Sequence, residues 1–586
     1  MLWLLTGILW AEEPEETEPV DDLEAFLAEI EATTPQSKQL FGMGAMAGAS
    51  PSSIWESRYR YRGSDRLEPN FELSHPRLHD YTEFVNRYYY KLNHPEDNWD
   101  FSIQIDQVSL GFNKYILDDE LLRSWVLYDS TMFSPITDAI IVPEKISFGK
   151  TYQNSRWELG DMGAVFGRGI ALSIRSNKVV DVDTTLRGVK YVGNFGPAEL
   201  TMLSGITNKQ QISKYNPNLG ISDDIAHMVS GGQLMLYGIG MTQIGIHHMI
   251  ATFGSQADRD YPDILRYDDP IDASISGADI EIFGLGGIDW YFEGDIYQYM
   301  DDALSDAGEV PLGYTGYGSA SLYPGSWVVL VEGKISKDAE RINRFTSIDN
   351  WEVATPPSLE YERMITEDSS AAVNSNDVYG VRVRADYPLR PQVLTPYASM
   401  VYLRDTDLEG LHFNEVPETI YHPMTGVQYT ENGKIVLLNV GYRMDIRDDM
   451  ETHGQDRLAH LDTEISFPLF GEEGFEINTS GWKFWWGENP SEHNDFVTIQ
   501  NAFVWRHGEF WDFTWYQDYT TNTQLDSVGN ITDEIYMAGE VTWKPSIDHT
   551  LRLLAGAYKA GIRCSGGQCR MLPGFQGVEL AYSANF

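Results

Sequence analysis

Along much of this chain apolar and polar residues take strict turns, and any fold it adopts must satisfy that period of two. In the last ten residues Val578, Leu580, Tyr582, Ala584 and Phe586 share one parity, and Gly577, Glu579, Ala581, Ser583 and Asn585 the other. Successive side chains of a β-strand point to opposite faces, so such a segment presents one apolar and one polar surface. The pattern recurs upstream. Ile535, Met537, Gly539, Val541 and Trp543 lie opposite Tyr536, Ala538, Glu540, Thr542 and Lys544, and Val436, Leu438, Val440, Tyr442, Met444 and Ile446 oppose Leu437, Asn439, Gly441, Arg443 and Asp445. Trp511, Phe513, Trp515 and Tyr519 oppose Asp512, Thr514, Tyr516 and Asp518, while Tyr379, Val381, Val383 and Tyr387 oppose Arg382, Arg384 and Asp386. Charges keep to one face.

A Lys or Arg turned toward lipid at the bilayer midplane costs about 2–4 kcal/mol, whereas one turned toward a wet interior costs little. Segregation over many strands is therefore what a membrane barrel requires. The sequence has no 18-residue apolar run that would make a transmembrane helix, so any crossing is by strands, and strands satisfy their backbone groups in lipid only when the sheet closes. The 52 glycines, 16 tryptophans and 33 tyrosines suit tight turns and interfacial aromatic belts. A final strand ending in Phe586, with Tyr582 four residues before it, resembles the assembly signal of bacterial outer-membrane β-barrels. That resemblance implies the barrel assembly machinery as a partner, and outer-membrane lipid and lipopolysaccharide as surroundings.

Turn spacing gives the topology. Short turns are expected at 193–198, 237–241, 283–287, 323–326, 387–392, 431–434, 470–475, 506–510 and 544–549, with longer acidic or polar stretches between them. Outer-membrane barrels alternate short periplasmic turns with long external loops, and this parity sends the final strand down toward the periplasm. With further strands near 53–62, 80–92, 98–111, 144–153 and 156–175, the total is an even number of about 24, with 22 to 26 allowed by boundary errors. The expected fold class is all-β: a transmembrane antiparallel up-and-down β-barrel over 51–586. The competing fold is a soluble, secreted all-β sandwich or propeller; the lack of a regular repeat weakens the propeller version.

The N-terminus differs in character. Residues 1–11, MLWLLTGILWA, read as a signal peptide, too short to cross a bilayer and lacking a basic start. Residues 12–50 read as an acidic periplasmic segment, in which Leu23, Phe26, Leu27 and Ile30 at helical spacing predict a short amphipathic helix able to meet a periplasmic partner. The arrangement resembles the lead-in to the plug of TonB-dependent receptors. Only a short stretch including FGMGAMAGAS separates it from the first strand, so a complete plug domain does not fit.

No HExxH, GxSxG, P-loop or CxxC occurs, so neither an enzyme nor a bound cofactor is expected, although a serine hydrolase built from residues distant in sequence stays open. His247 and His248 are adjacent on a predicted strand and face opposite ways, which argues against joint metal binding. The spacing of Cys564 and Cys569, in RCSGGQCR, suits a hairpin-tip disulfide in an oxidising compartment, with free thiols as the alternative. The densest candidate is 157–196, where LGD, FGRGI and LRGVK resemble a glycine-rich motif of some large outer-membrane barrels. Glu158, Asp161, Arg168, Arg175, Arg187 and Lys190 bring both charge signs together, and Gly160, Gly163, Gly167 and Gly169 permit a sharp inward bend or a close approach of strands. Two readings stand: salt bridges bracing a strained wall, or residues that set pore selectivity.

With a net charge of −45 and no basic patch to neutralise phosphates, nucleic acid is disfavoured as a partner. Pairs such as Asp223-Asp224, Asp268-Asp269, Asp301-Asp302 and Asp448-Asp449 fall in the long loops, where they suit loop-bound calcium, attraction of positive solutes, or a saline habitat. The function expected is a porin-like channel or solute receptor for an unidentified small solute. The alternative is a surface scaffold that binds partners or calcium through its loops.

Overall fold

The computed structural model describes residues 50–62, 81–112, 140–174, 176–177, 182–183, 185–207, 228–252, 272–300, 312–337, 378–405, 419–448, 453–469, 471–485, 495–521, 535–558, 561–565, 568–572 and 575–586. None of them is helical, and the long strands join in a single 24-stranded sheet. The first five are β1 (Ser50–Arg62), β2 (Tyr81–His94), β3 (Trp99–Phe112), β4 (Ile140–Tyr152) and β5 (Ser155–Met162). Then come β6 (Leu186–Phe195), β7 (Ala198–Thr207), β8 (Met228–Ile239), β9 (Thr242–Thr252), β10 (Asp272–Leu285), β11 (Ile288–Met300), β12 (Leu312–Leu322) and β13 (Val328–Lys337). The sheet continues through β14 (Val378–Asp386), β15 (Leu394–Asp405), β16 (Thr419–Glu431), β17 (Lys434–Asp448), β18 (His453–Pro468) and β19 (Gly474–Trp485). It ends with β20 (Phe496–His507), β21 (Trp511–Thr520), β22 (Ile535–Ser546), β23 (His549–Tyr558) and β24 (Phe575–Asn585).

Each strand pairs antiparallel with its sequence neighbours, and β24 pairs with both β23 and β1, from Ile54 opposite Asn585 to Arg62 opposite Gly577. The sheet has no free border. Every predicted short turn lies where a pair of strands reverses, and the alternation read from the sequence survives as two faces. Trp55, Phe292, Ile246, Val381, Val440, Trp515, Met537 and Leu580 are exposed apolar side chains on the outward parity. Arg60, Asp106, Asp295, Glu332, Arg382, Arg443, Asp518 and Glu579 occupy the inward parity and are buried. Rings gather near the short turns, as between Trp505 and Phe513 (5.3 Å), Trp511 and Trp543 (5.8 Å), and Trp55 and Tyr582 (5.4 Å). These are the girdle expected where a barrel meets headgroups. Turn chemistry is local: Asn432 and Gly433, with φ of 51° and 74°, supply the two left-handed residues a two-residue hairpin needs.

One strand departs from expectation. The segment 156–175 is not a single strand: β5 stops at Met162, and the chain turns inward as a small hairpin, Ala164–Phe166 against Leu172–Ile174. Val165 falls on an alternating background, so periodicity alone reads straight through. What breaks the strand is glycine at Gly160, Gly163, Gly167 and Gly169, together with an apolar patch on the inner wall that the hairpin covers.

The signal-peptide and helix assignments, the boundary at residue 50 with all that precedes it, and the acidic loop pairs other than Asp448 lie outside the described residues. Backbone register sets Cys564 opposite Cys569 in a hairpin between β23 and β24, but their side chains lie outside the described set. Tyr582 is on the outward face and Phe586 is exposed.

Candidate functional site

The site begins where β5 leaves the wall. Gly160 has φ of +98°, a region that favours glycine, and a Cβ there would come within 1.9 Å of the Ile146 carbonyl. Beyond the pair Ser147–Gly160, β4 has no β5 backbone beside it. Two side chains take over its unpaired groups. The Asp161 carboxylate accepts the Ile146 N–H (2.6 Å), the Arg187 guanidinium donates to the Glu144 carbonyl (2.7 Å), and the two are ion-paired at 3.0 Å. They substitute for ladder hydrogen bonds at an opening in the sheet.

The hairpin itself lies against the inner face of β7–β11. Phe166, Ala171, Leu172 and Ile174 pack with Leu203, Val229, Met249, Ala251, Ala273, Ile275 and Tyr297, all nearly or fully buried. Arg168, in its turn, donates its backbone N–H to Glu293 (2.9 Å) and lays its guanidinium over the Tyr291 ring at 4.1 Å, with Tyr317 at 6.0 Å. Lys190 reaches from the wall to the Gly163 carbonyl (2.8 Å). The hairpin is thus anchored by apolar burial, cation–π stacking and backbone hydrogen bonds.

Beneath it, three adjacent strands form a tile. In register, His247 of β9 faces Gly277 of β10, which faces Asp295 of β11; in the next inward row Gly245 faces Asp279, which faces Glu293. Each glycine leaves space for its neighbours' side chains. His247 Nε2 and Asp295 Oδ1 meet across Gly277 at 2.5 Å, in the volume a Cβ on that glycine would occupy. Phe166 stacks over the imidazole at 6.1 Å. The Tyr291 hydroxyl donates to Glu293, and Thr315 to Asp295 at 3.3 Å.

The inner wall carries further charge. Glu158 joins Lys190 (2.5 Å) and Arg156 (2.8 Å), and Arg156 joins Asp100 (2.8 Å). Glu332 holds Arg382 at 2.9 Å, and Arg443 is chelated by Asp445 at 2.8 Å. At the closing seam Glu579 takes Arg60 (2.5 Å) and Arg552. His422 and His460 approach through their Nε2 atoms at 2.9 Å, with Asp462 on His460 Nδ1.

The six candidate residues therefore do not form one cluster. Glu158 and Lys190 face the lumen together; Asp161 and Arg187 brace the opening between β4 and β6; Arg168 sits in the hairpin turn, far around the wall, near Glu293 and Glu281; Arg175 lies outside the described residues. His247 and His248 do face opposite ways, and His248 bonds Ser276 on the outer parity. Sequence reading missed Asp279, Glu293 and Asp295. A signal existed in the glycines at Gly245 and Gly277, but only register across β9–β11 turns it into a site.

No family model matches the sequence, and no curated protein matches it. Among solved structures, the siderophore receptor PirA from Pseudomonas aeruginosa is 7% identical with a TM-score of 0.44, over 92% of this chain and 80% of that one. The FrpB iron transporter from Neisseria meningitidis is 8% identical with a TM-score of 0.44, over 92% and 82%. The outer membrane protein opdK from Pseudomonas aeruginosa is 12% identical with a TM-score of 0.36, over 71% and 96%.

Proposed function

We propose that this chain is a barrel of the bacterial outer membrane that admits or receives a small solute, the inward hairpin narrowing its lumen. The observation carrying this reading is a closed sheet whose outer face is apolar, whose inner face is charged, and into whose interior a segment of the wall is folded and fastened. A structural barrel needs no fastened inward hairpin, whereas a conduit uses such a segment to set what passes. In this orientation the short turns face the periplasm and the opposite strand ends face outward; the acidic sequence that joins those ends would concentrate cationic solutes there. Lipid, lipopolysaccharide and the assembly machinery are the partners this setting supplies, and no catalytic role is proposed.

Planar-bilayer recording on the purified full-length chain tests the reading. Discrete conductance steps that grow when 164–174 is replaced by a glycine-serine linker are expected. A lumen that stays sealed in both proteins would refute it.

A further inference from the structure

The tile of His247, Asp279, Glu293 and Asp295 has more negative charge than its surroundings neutralise. All four side chains are nine-tenths or more buried. Among the described residues no Lys or Arg ion-pairs with any of the three carboxylates: His247 is the basic group in contact with them, and the nearby Arg168 guanidinium lies over the Tyr291 ring and pairs with Glu281 instead. Buried carboxylates without cationic partners cost several kcal/mol each, so the site either holds protons or a cation. Three atoms are also left over. His247 Nδ1, Asp279 Oδ2 and Glu293 Oε1 are buried with no hydrogen-bond partner among the described residues, although the same side chains use their other polar atoms.

From this we infer that the tile is a binding site for a divalent transition-metal ion, held by His247, Glu293 and Asp295. One donor atom from each lies within 4.8 Å of the other two. One imidazole with carboxylate oxygens suits zinc or a neighbouring first-row metal better than calcium or magnesium, which take oxygen alone. Metal–ligand bonds of about 2.0–2.2 Å set neighbouring tetrahedral donors roughly 3.4 Å apart, so the 2.5 Å approach of His247 Nε2 to Asp295 Oδ1 opens by about 1 Å, within reach of side-chain rotation, to admit the ion. Gly277 provides the room. On the far side of the ring Asp279 Oδ2 is 4.0 Å from Nδ1, placed to orient the imidazole as carboxylates do behind metal-bound histidines. Because Glu293 also accepts the Arg168 N–H, an ion here ties the inward hairpin to the wall. The inference does not depend on whether the lumen conducts.

The test uses the full-length chain in detergent, stripped with chelator and titrated with Zn²⁺ in excess Mg²⁺ and Ca²⁺ to saturate the acidic loops. One equivalent of Zn²⁺ is expected, and sub-stoichiometric Cu²⁺ in the unaltered chain should show hyperfine coupling to one imidazole nitrogen. His247→Ala should weaken uptake roughly tenfold or more. So should Gly277→Ala, which keeps every donor and fills the gap between them. His248→Ala, on the opposite face, should change nothing. Absence of one-equivalent uptake, absence of nitrogen coupling, or uptake that both His247→Ala and Gly277→Ala leave intact would overturn the assignment. Heat-modifiable migration checks that each variant has folded, and if His247→Ala has not, Gly277→Ala and the coupling decide.

Discussion

Gly160 lets the chain leave the wall, and Asp161 and Arg187 heal the opening it creates. The substitution Gly160→Ala combines a left-handed φ with a clash against the Ile146 carbonyl, and strain of this kind costs on the order of 1–3 kcal/mol. Its urea midpoint in detergent should fall clearly below that of the unaltered chain; an equal midpoint would mean the bend relaxes without cost. The candidate charges should separate in the same way. Asp161→Asn removes the charge that faces Arg187 and leaves one oxygen to serve both the Ile146 N–H and the guanidinium, and should destabilise by about 1–3 kcal/mol while leaving ion selectivity alone. Glu158→Gln, facing the lumen beside Lys190, should shift the reversal potential toward anions with little loss of stability. Selectivity that follows Asp161 rather than Glu158 would contradict these placements. The sequence showed that both signs of charge crowd into 157–196, but not which partner each would take, since the pairings depend on where β5 ends.

At the scale of elements, alternation made the strands legible because side-chain parity is a local property of the backbone, and the short turns were legible because pairs such as Asn432-Gly433 have few other uses. The hairpin was not legible. Phe166, Leu172 and Ile174 bury against residues from β7 to β11, and nothing within 163–174 reports the apolar patch that receives them. The same holds for the proposed metal tile, whose donors lie on β9 and β11 and meet only through register across β10. Burial predicts the hairpin's strength: Phe166→Ala leaves a cavity in a fully packed seat and should cost about 3–5 kcal/mol of local stability. Hydrogen exchange should then show 164–174 and the wall of β9 opening together, while β14–β24 keep their protection. Uniform loss of protection around the ring would mean the hairpin is integral to the barrel rather than a fastened insert.

For the molecule as a whole, the seam decides the order of events. Arg60 and Glu579, which lock β1 to β24, are 519 positions apart, and the backbone pairs from Ile54–Asn585 to Arg62–Gly577 have separations running from 531 down to 515. Contacts this remote form slowly, because the intervening chain must be ordered before they reward it. Until they form, two strand edges bear unsatisfied amides that lipid cannot solvate. A partly made ring therefore has no resting place inside a bilayer. In the proposed membrane setting, insertion is expected to be cooperative around the circumference, the two unmated borders meeting as the ring enters.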